Sequence, residues 1–317
     1  MFLVTLTAAA LLGASTQSSA SPKPLGEPVT VEDVIVNGQR FQEAAGRYVS
    51  AVANPAGTRG LARWHGGFCV GVVNLRHDVA QPIIDRVSDT ARSLGLRSGE
   101  PGCRPNVTIA VSDDPSTLAA SMVDQSFRSF HTGGSGTDQG RAKLQAFIHD
   151  DRPVRWWHLS YPANTDTGEV AVRLPGYYNI NGMQIDGGDT HAYAPSVRTT
   201  SASRLRSAIS DYLFQVVIIV DVDKVSATSN EQLSDYLAMI ALAQVDPEGQ
   251  TQGFSTILNL FDDTVATPPG LTSWDKAYLT GLYQSDLTRI QVGNQHTALT
   301  AAALAAKSEA DLAQDEN

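Results

Sequence analysis

The chain has 317 residues, 42% of them hydrophobic and 18% charged, enough to bury a sizeable core in one large domain or two modest ones. Its formal net charge is −10 and no cluster of Lys and Arg stands out, which excludes the concentrated positive charge that a nucleic-acid partner requires. The acidic balance favours solubility without naming a ligand.

The first residues, "MFLVTLTAAALLGASTQSSA", carry an apolar run from Phe2 to Ala14 and then small residues ending Ser18-Ser19-Ala20. This predicts a signal peptide over residues 1–20, cleaved after Ala20, although no Lys or Arg precedes the run. An uncleaved anchor is the alternative. The run is short for a membrane span and no other segment approaches that length, so the expected product is exported, periplasmic or extracellular. Export gives the two cysteines a meaning. Cys69 and Cys103 are expected to pair in an oxidising compartment, closing a loop worth roughly 4 kcal/mol in the chain-entropy model. Two free buried thiols are the alternative, and a lone pair this far apart is no zinc ribbon.

Residues 21–45 form a polar N-terminal segment in which "EDVIVNGQRF" reads as a short edge strand at the entrance of a domain spanning 46–290. "FCVGVVNL" (Phe68 to Leu75) is rich in β-branched residues and reads as a strand. Val79, Ile83, Val87, Ala91 and Leu94 then recur at helical spacing, with Pro82 suited to the first turn and Gly95 as the stop. "NVTIAVS" (Asn106 to Ser112) is a second strand, followed by a helix capped by Asp113 or Asp114. "HTGGSGTDQG" is a loop by composition, and "RAKLQAFIHD" a short helix. In "PVRWWHLSYP", a strand, Arg155, Trp157 and Leu159 face one way and Trp156 and His158 the other. "YLFQVVIIVDVDKV" (Tyr212 to Val225) has a continuous apolar centre, which predicts burial on both faces. Residues 291–317 read as a helical or disordered tail.

Between the last strand and that tail, Ser229 with Gln232 three residues on forms a capping box, and the helix behind it is apolar around most of its circumference. Such a helix is central. "STILNLF" (Ser255 to Phe261) and "LTSWDKAYLTGLY" (Leu271 to Tyr283) follow, with "RW" at Arg63-Trp64 well upstream. In this order of parts the chain resembles the zincin metallopeptidases of the matrixin type, over roughly residues 60 to 285. Those run strand, helix and sheet, then a central helix carrying H-E-x-x-H, a turn with S-I-M, and a helix starting L-T-x-x-D and ending L-Y. The chain is also similar to uncharacterised exported bacterial families related to zincins. The resemblance implies a zincin-like α+β domain with a mixed β-sheet and a central buried helix, to which the expected export adds one disulfide. It places the two zinc positions on Gln232 and Tyr236 and the catalytic carboxylate on Leu233. Gln is a poor zinc ligand, Tyr must lose a proton of pKa about 10, and Leu is no base. The implied object is a zincin-like scaffold without its metal, and the plain alternative is a core helix with no such ancestry.

Other candidate chemistry is sparse. No two of the seven histidines stand at i+3 or i+4, so none shares a helical turn as a metal pair. Asp186, Asp189 and His191 share one Gly-rich loop and offer ligands for a hard cation, with an ordinary polar loop as the alternative. Asp221 and Asp223 share a face at the end of the buried strand, as paired acid/base carboxylates or as solvated acids. Ser135 lacks the strand and the second Gly of a nucleophile elbow. The sequence therefore points to a non-catalytic exported domain, without cofactor or metal, that binds a peptide or protein partner. A hydrolase with a relocated site in one of the two acidic clusters is the alternative.

Overall fold

The computed structural model describes residues 31–56, 59–126, 130, 139–173, 178–180, 183–185, 195–198, 206–288 and 292–315. The chain divides into two compact units, Met1–Gln39 and Arg40–Asn317. The described part of the first unit is the start of helix α1 (Val31–Val52). That helix replaces the edge strand expected from "EDVIVNGQRF" and runs through the expected boundary at residue 45. The cause lies in the second unit, where Ala45, Tyr48, Val49 and Val52 recur at helical spacing and are buried. Tertiary packing of one amphipathic face overrides the β-propensity of the Val and Ile residues preceding it. The predicted signal segment lies outside the described residues.

The second unit is built on a five-stranded mixed sheet. β2 (Val70–Val73) pairs in parallel with β3 (Val107–Ser112), and β3 in parallel with β9 (Ile209–Asp221). β4 (Val154–Asn164) runs antiparallel along the other edge of β9, with a register shift between Leu159 and Ser160. β1 (Ala62–Arg63) pairs with Asp211 and Tyr212, which also pair with β4, so β1 and β4 lie on opposite edges of β9. Two short antiparallel ladders join β5 (Val172–Arg173) to β8 (Pro195–Ser196) and β6 (Tyr178–Ile180) to β7 (Met183–Ile185). Cys69 and Cys103, just before β2 and β3, form the expected disulfide.

Helices cover both faces of the sheet, which accounts for the unbroken apolar run in β9. Val217 and Ile219 pack with Trp157 and Leu159 against α3 (Pro115–Gln125) and α4 (Arg141–His149). Val216, Ile218 and Val220 pack with Trp156 on the opposite side, against α2 (His77–Ser93) and α5 (Asn230–Leu242). The alternation expected along β4 thus holds, with both faces in the core. α2 starts one turn earlier than expected, which puts Pro82 inside it at an exposed position where water solvates the lost backbone bond. Asp114 caps α3 by accepting from the Thr117 amide. α6 (Ser273–Gln284) carries α7 (Val292–Asp315), whose Leu299 and Ala303 are buried; a Cβ on Gly281 would meet the Ala303 backbone at 2.7 Å.

From Leu233 to Leu242 every residue of α5 is buried. The Ser229–Gln232 capping box starts it, as the sequence predicts. Its other end stops inside the protein, where water cannot satisfy the last carbonyls. Side chains do so instead. His158 Nε2 lies 2.8 Å from Ile240 O, Trp64 Nε1 donates to Ala241 O at 2.8 Å, and the Tyr283 hydroxyl donates to Leu242 O at 2.8 Å. Gln244, two residues on, accepts from the Ala62 amide through its side chain, and its backbone carbonyl accepts from Asn54 N. Strand β4, the residue that follows β1, and helix α6 (Ser273–Gln284) each supply one cap.

Two outcomes follow from these caps. Tyr283→Phe leaves Leu242 O without its donor and is expected to cost about 1–3 kcal/mol in denaturant unfolding. Because Ile240 O can only accept, Nε2 of His158 carries the proton, and burial lowers the imidazole pKa from 6.5 to about 4. The unfolded chain therefore takes up a proton that the folded chain refuses. The stabilisation is complete above pH 6.5 and is lost as pH falls toward 4, by about 3 kcal/mol in all. In unfolding free energies measured from pH 7 to 4, His158→Gln is expected to show a shallower decline than the parent.

Candidate functional site

The three positions that the resemblance equates with metal chemistry do not converge. Gln232 spends its side chain on the helix start, accepting from Ser229 N, and donates Nε2 to Pro268 O at 2.7 Å. Leu233 belongs to the core. Only Tyr236 opens onto a cleft. That cleft is a groove of about 460 Å³ between the start of β4, the stretch after α5 and the turn following Asn259.

The walls of the groove are held from behind. Asn259 donates Nδ2 to Thr251 O and Phe254 O and accepts from the Thr251 hydroxyl at 2.6 Å, which fixes the loop between them. A 3₁₀ turn, Ile257–Asn259, is anchored by Asp275, which is fully buried. The Asp275 carboxylate accepts from Tyr48 Oη (2.8 Å), Thr256 Oγ1, Ile257 N (2.8 Å), Thr272 N (2.8 Å) and Thr272 Oγ1 (2.8 Å). It thereby joins α1, the turn and the N-terminus of α6, where a carboxylate is favoured. Asp235, one residue before Tyr236 and 1% exposed, takes Arg86 bidentately at 2.6 and 2.9 Å and accepts from Leu271 N. A Cβ on Gly270 would come within 2.5 Å of that carboxylate.

The floor is aromatic. Tyr236 meets Trp156 edge to face with centroids 6.4 Å apart and Phe261 in the same manner at 5.1 Å. Trp156 donates Nε1 to Val245 O. The Tyr236 hydroxyl has no protein partner among the described residues, and burial raises its pKa above the ordinary value, with Arg152 nearby opposing the rise. The side chain is 6% exposed and its oxygen is not among the fully enclosed unpaired atoms, so the groove is its opening. Arg152 forms the rim, paired with Asp150 Oδ2 at 3.0 Å and donating to Pro247 O. Across that strap lies a slit of about 30 Å³ beside Trp156 and His158, with room for little more than one water.

The other predicted residues play different parts. Asp221 is buried and accepts from Asp223 N and Lys224 N, closing the turn after β9, while the Asp223 side chain is exposed. These two behave as a turn cap and a solvated acid. Asp186, Asp189 and His191 lie outside the described residues, as do His131 and Ser135. Among the described residues no group of three His, Cys, Asp or Glu side chains is placed to hold a metal ion. No described helix is long and apolar enough to cross a membrane. Sequence reasoning found Tyr236 through a motif it does not fulfil, met Asp275 only as the acid of the L-T-x-x-D match, and missed Arg152 and Asp235; a lone acid inside the most apolar helix was the available signal for Asp235.

Tyr236→Phe removes a buried hydroxyl that has no partner among the described residues. Its unfolding free energy is expected to match the parent or exceed it by up to about 1 kcal/mol, in contrast with Tyr283→Phe. A loss of about 2 kcal/mol or more in urea unfolding would mean that the phenol is structural. Comparison of the chain with protein-family models, with curated proteins and with solved structures finds no match.

Proposed function

We propose that the protein is an exported, non-catalytic domain that binds a peptide or protein partner in the Tyr236 groove, on a scaffold of metallopeptidase type. The observation that carries this reading is an open, rigid-walled groove into which a buried, unpartnered tyrosine hydroxyl opens. An aromatic floor with a polar rim suits the mixed apolar and hydrogen-bonding surface of a polypeptide. The scaffold assignment draws support from the order of parts: strand, helix, strand, antiparallel edge strand, buried helix, short turn, and a helix opened by Thr272 and Asp275. The absence of catalysis rests on chemistry at the motif positions. Gln232 is occupied as a cap, Leu233 has no proton to exchange, and Tyr236 is harder to deprotonate than in water. Export draws support from the disulfide, which persists in oxidising compartments.

Selection of displayed random peptides against the purified chain tests the reading. A selected peptide is expected to slow amide hydrogen exchange in residues 152–156 and 245–264. Protection confined to another face, or no enrichment over a denatured control, overturns groove binding. Stoichiometric, tight zinc uptake by the same protein overturns the non-metal half of the proposal.

A further inference from the structure

Granted that the Tyr236 groove binds polypeptide, the charges around it specify which kind. Among the described residues three carboxylates line it, those of Asp246, Asp262 and Asp263, against the one guanidinium of Arg152. Arg152 is already committed to Asp150 and to Pro247 O. Asp262 accepts from the amide (2.9 Å) and hydroxyl (2.5 Å) of Thr264, and these bonds, with a smaller contribution from the Gln252 side chain, hold its carboxyl below the usual aspartate range. It is therefore anionic. Asp263 is exposed and no described cation pairs with it, while Asp246 has Lys143 of α4 at 3.6 Å, which leaves the two turn acids, Asp262 and Asp263, as the carboxylates without a described cation partner. The groove is negative at its mouth and aromatic at its floor.

The carboxylates do not gather closely enough to hold an ion as a metal would require. They suit a longer cation with a soft stem. A lysine or arginine side chain lays its methylenes on aromatic surface, and its head gains from both ring faces and carboxylates. The Tyr236 hydroxyl oxygen, nine-tenths buried and without a partner among the described residues, offers that head an acceptor. We infer that the groove recognises a basic segment of a partner polypeptide, with one Lys or Arg side chain seated over Tyr236 and Phe261 between the carboxylates of the turn. The net charge of −10 adds long-range attraction for the same class of partner.

The test uses the full chain and three fluorescein-labelled nonapeptides, alternating Lys/Ala, Glu/Ala and Ser/Ala, followed by fluorescence anisotropy at low and physiological salt. The Lys/Ala peptide is expected to bind best. Asp262→Asn with Asp263→Asn is expected to weaken it by about tenfold, and Tyr236→Phe by about threefold. Gln252→Trp, a change at an exposed position on the wall, is expected to close the groove and abolish binding, with thermal melts confirming that each variant is folded. Lys/Ala binding that survives both the double variant and Gln252→Trp overturns the inference, because general attraction to an acidic surface then suffices. Preference for Glu/Ala or Ser/Ala, still lost in Gln252→Trp, overturns the charge assignment and leaves groove binding standing. Failure of all three peptides overturns both.

Discussion

A helix that ends inside a protein must find donors for its last carbonyls, and this requirement organises the second unit. α5 is buried from Leu233 onward, so neither water nor a glycine turn at the surface relieves its C-terminus. Trp64, His158 and Tyr283 each bring a polar tip on an apolar body, which lets them reach Ala241, Ile240 and Leu242 without opening the core. An aliphatic side chain at any of these places would fill the same space and leave a carbonyl unpaired. Each cap also belongs to a different element, so positioning the helix end fixes β4, the β1 segment and α6 relative to one another.

Burial of the helix body raises a second demand, met by charge. Asp235 stands in the middle of an apolar surface and is tolerable only because Arg86 and Leu271 N satisfy its oxygens. Asp275 carries its charge with hydrogen-bond donors alone. Both carboxylates tie α5 or the turn after it to the start of α6, so the chain between residues 243 and 272 is pinned at its two ends and along its middle. The loop 245–249 is bound independently to α1, through Asp246 N to Val52 O and the Ala53–Val245 bridge, with no room for a Cβ on Gly249. The groove is what remains between these fixed walls. Its shape is set by hydrogen bonds and ion pairs made largely behind its walls, by Asp235, Asp275 and the 245–249 loop, so the walls are fixed independently of anything between them.

Local signals in the sequence were the legible ones. The uninterrupted Val216–Val220 run announced a strand covered on both faces, the Ser229–Gln232 spacing announced a helix start, and the cysteine pair followed from the compartment expected for the chain. Long-range choices were opaque. Nothing adjacent to Trp64, His158 or Tyr283 marks them as partners of one helix end, because their common target is backbone and carries no side-chain signature. α1 was misread for a related reason: its β-branched start is locally strand-like, and the packing that makes it a helix comes from residues after Arg40. The groove carboxylates lie in turns, where acids are common and uninformative. Tyr236 emerged only because a resemblance drew attention to its position.

That position has its own logic. One helical turn separates Gln232 from Tyr236, yet their surroundings differ sharply: Gln232 sits at the solvated start of α5, Tyr236 beside Trp156 and Phe261 in low-dielectric surroundings. A metal site needs both positions equally accessible to one ion and equally free of other duties. Here the first is engaged in capping and the second is set among rings, so the helix offers the groove a single polar atom, the tyrosine oxygen. A lone phenol in such surroundings, with its proton held more tightly than in water, is poorly suited to moving protons and well suited to exchanging hydrogen bonds with a visiting donor. What this turn of the helix brings to the groove is one hydrogen-bonding oxygen that holds its proton, set beside the carboxylates of Asp262 and Asp263.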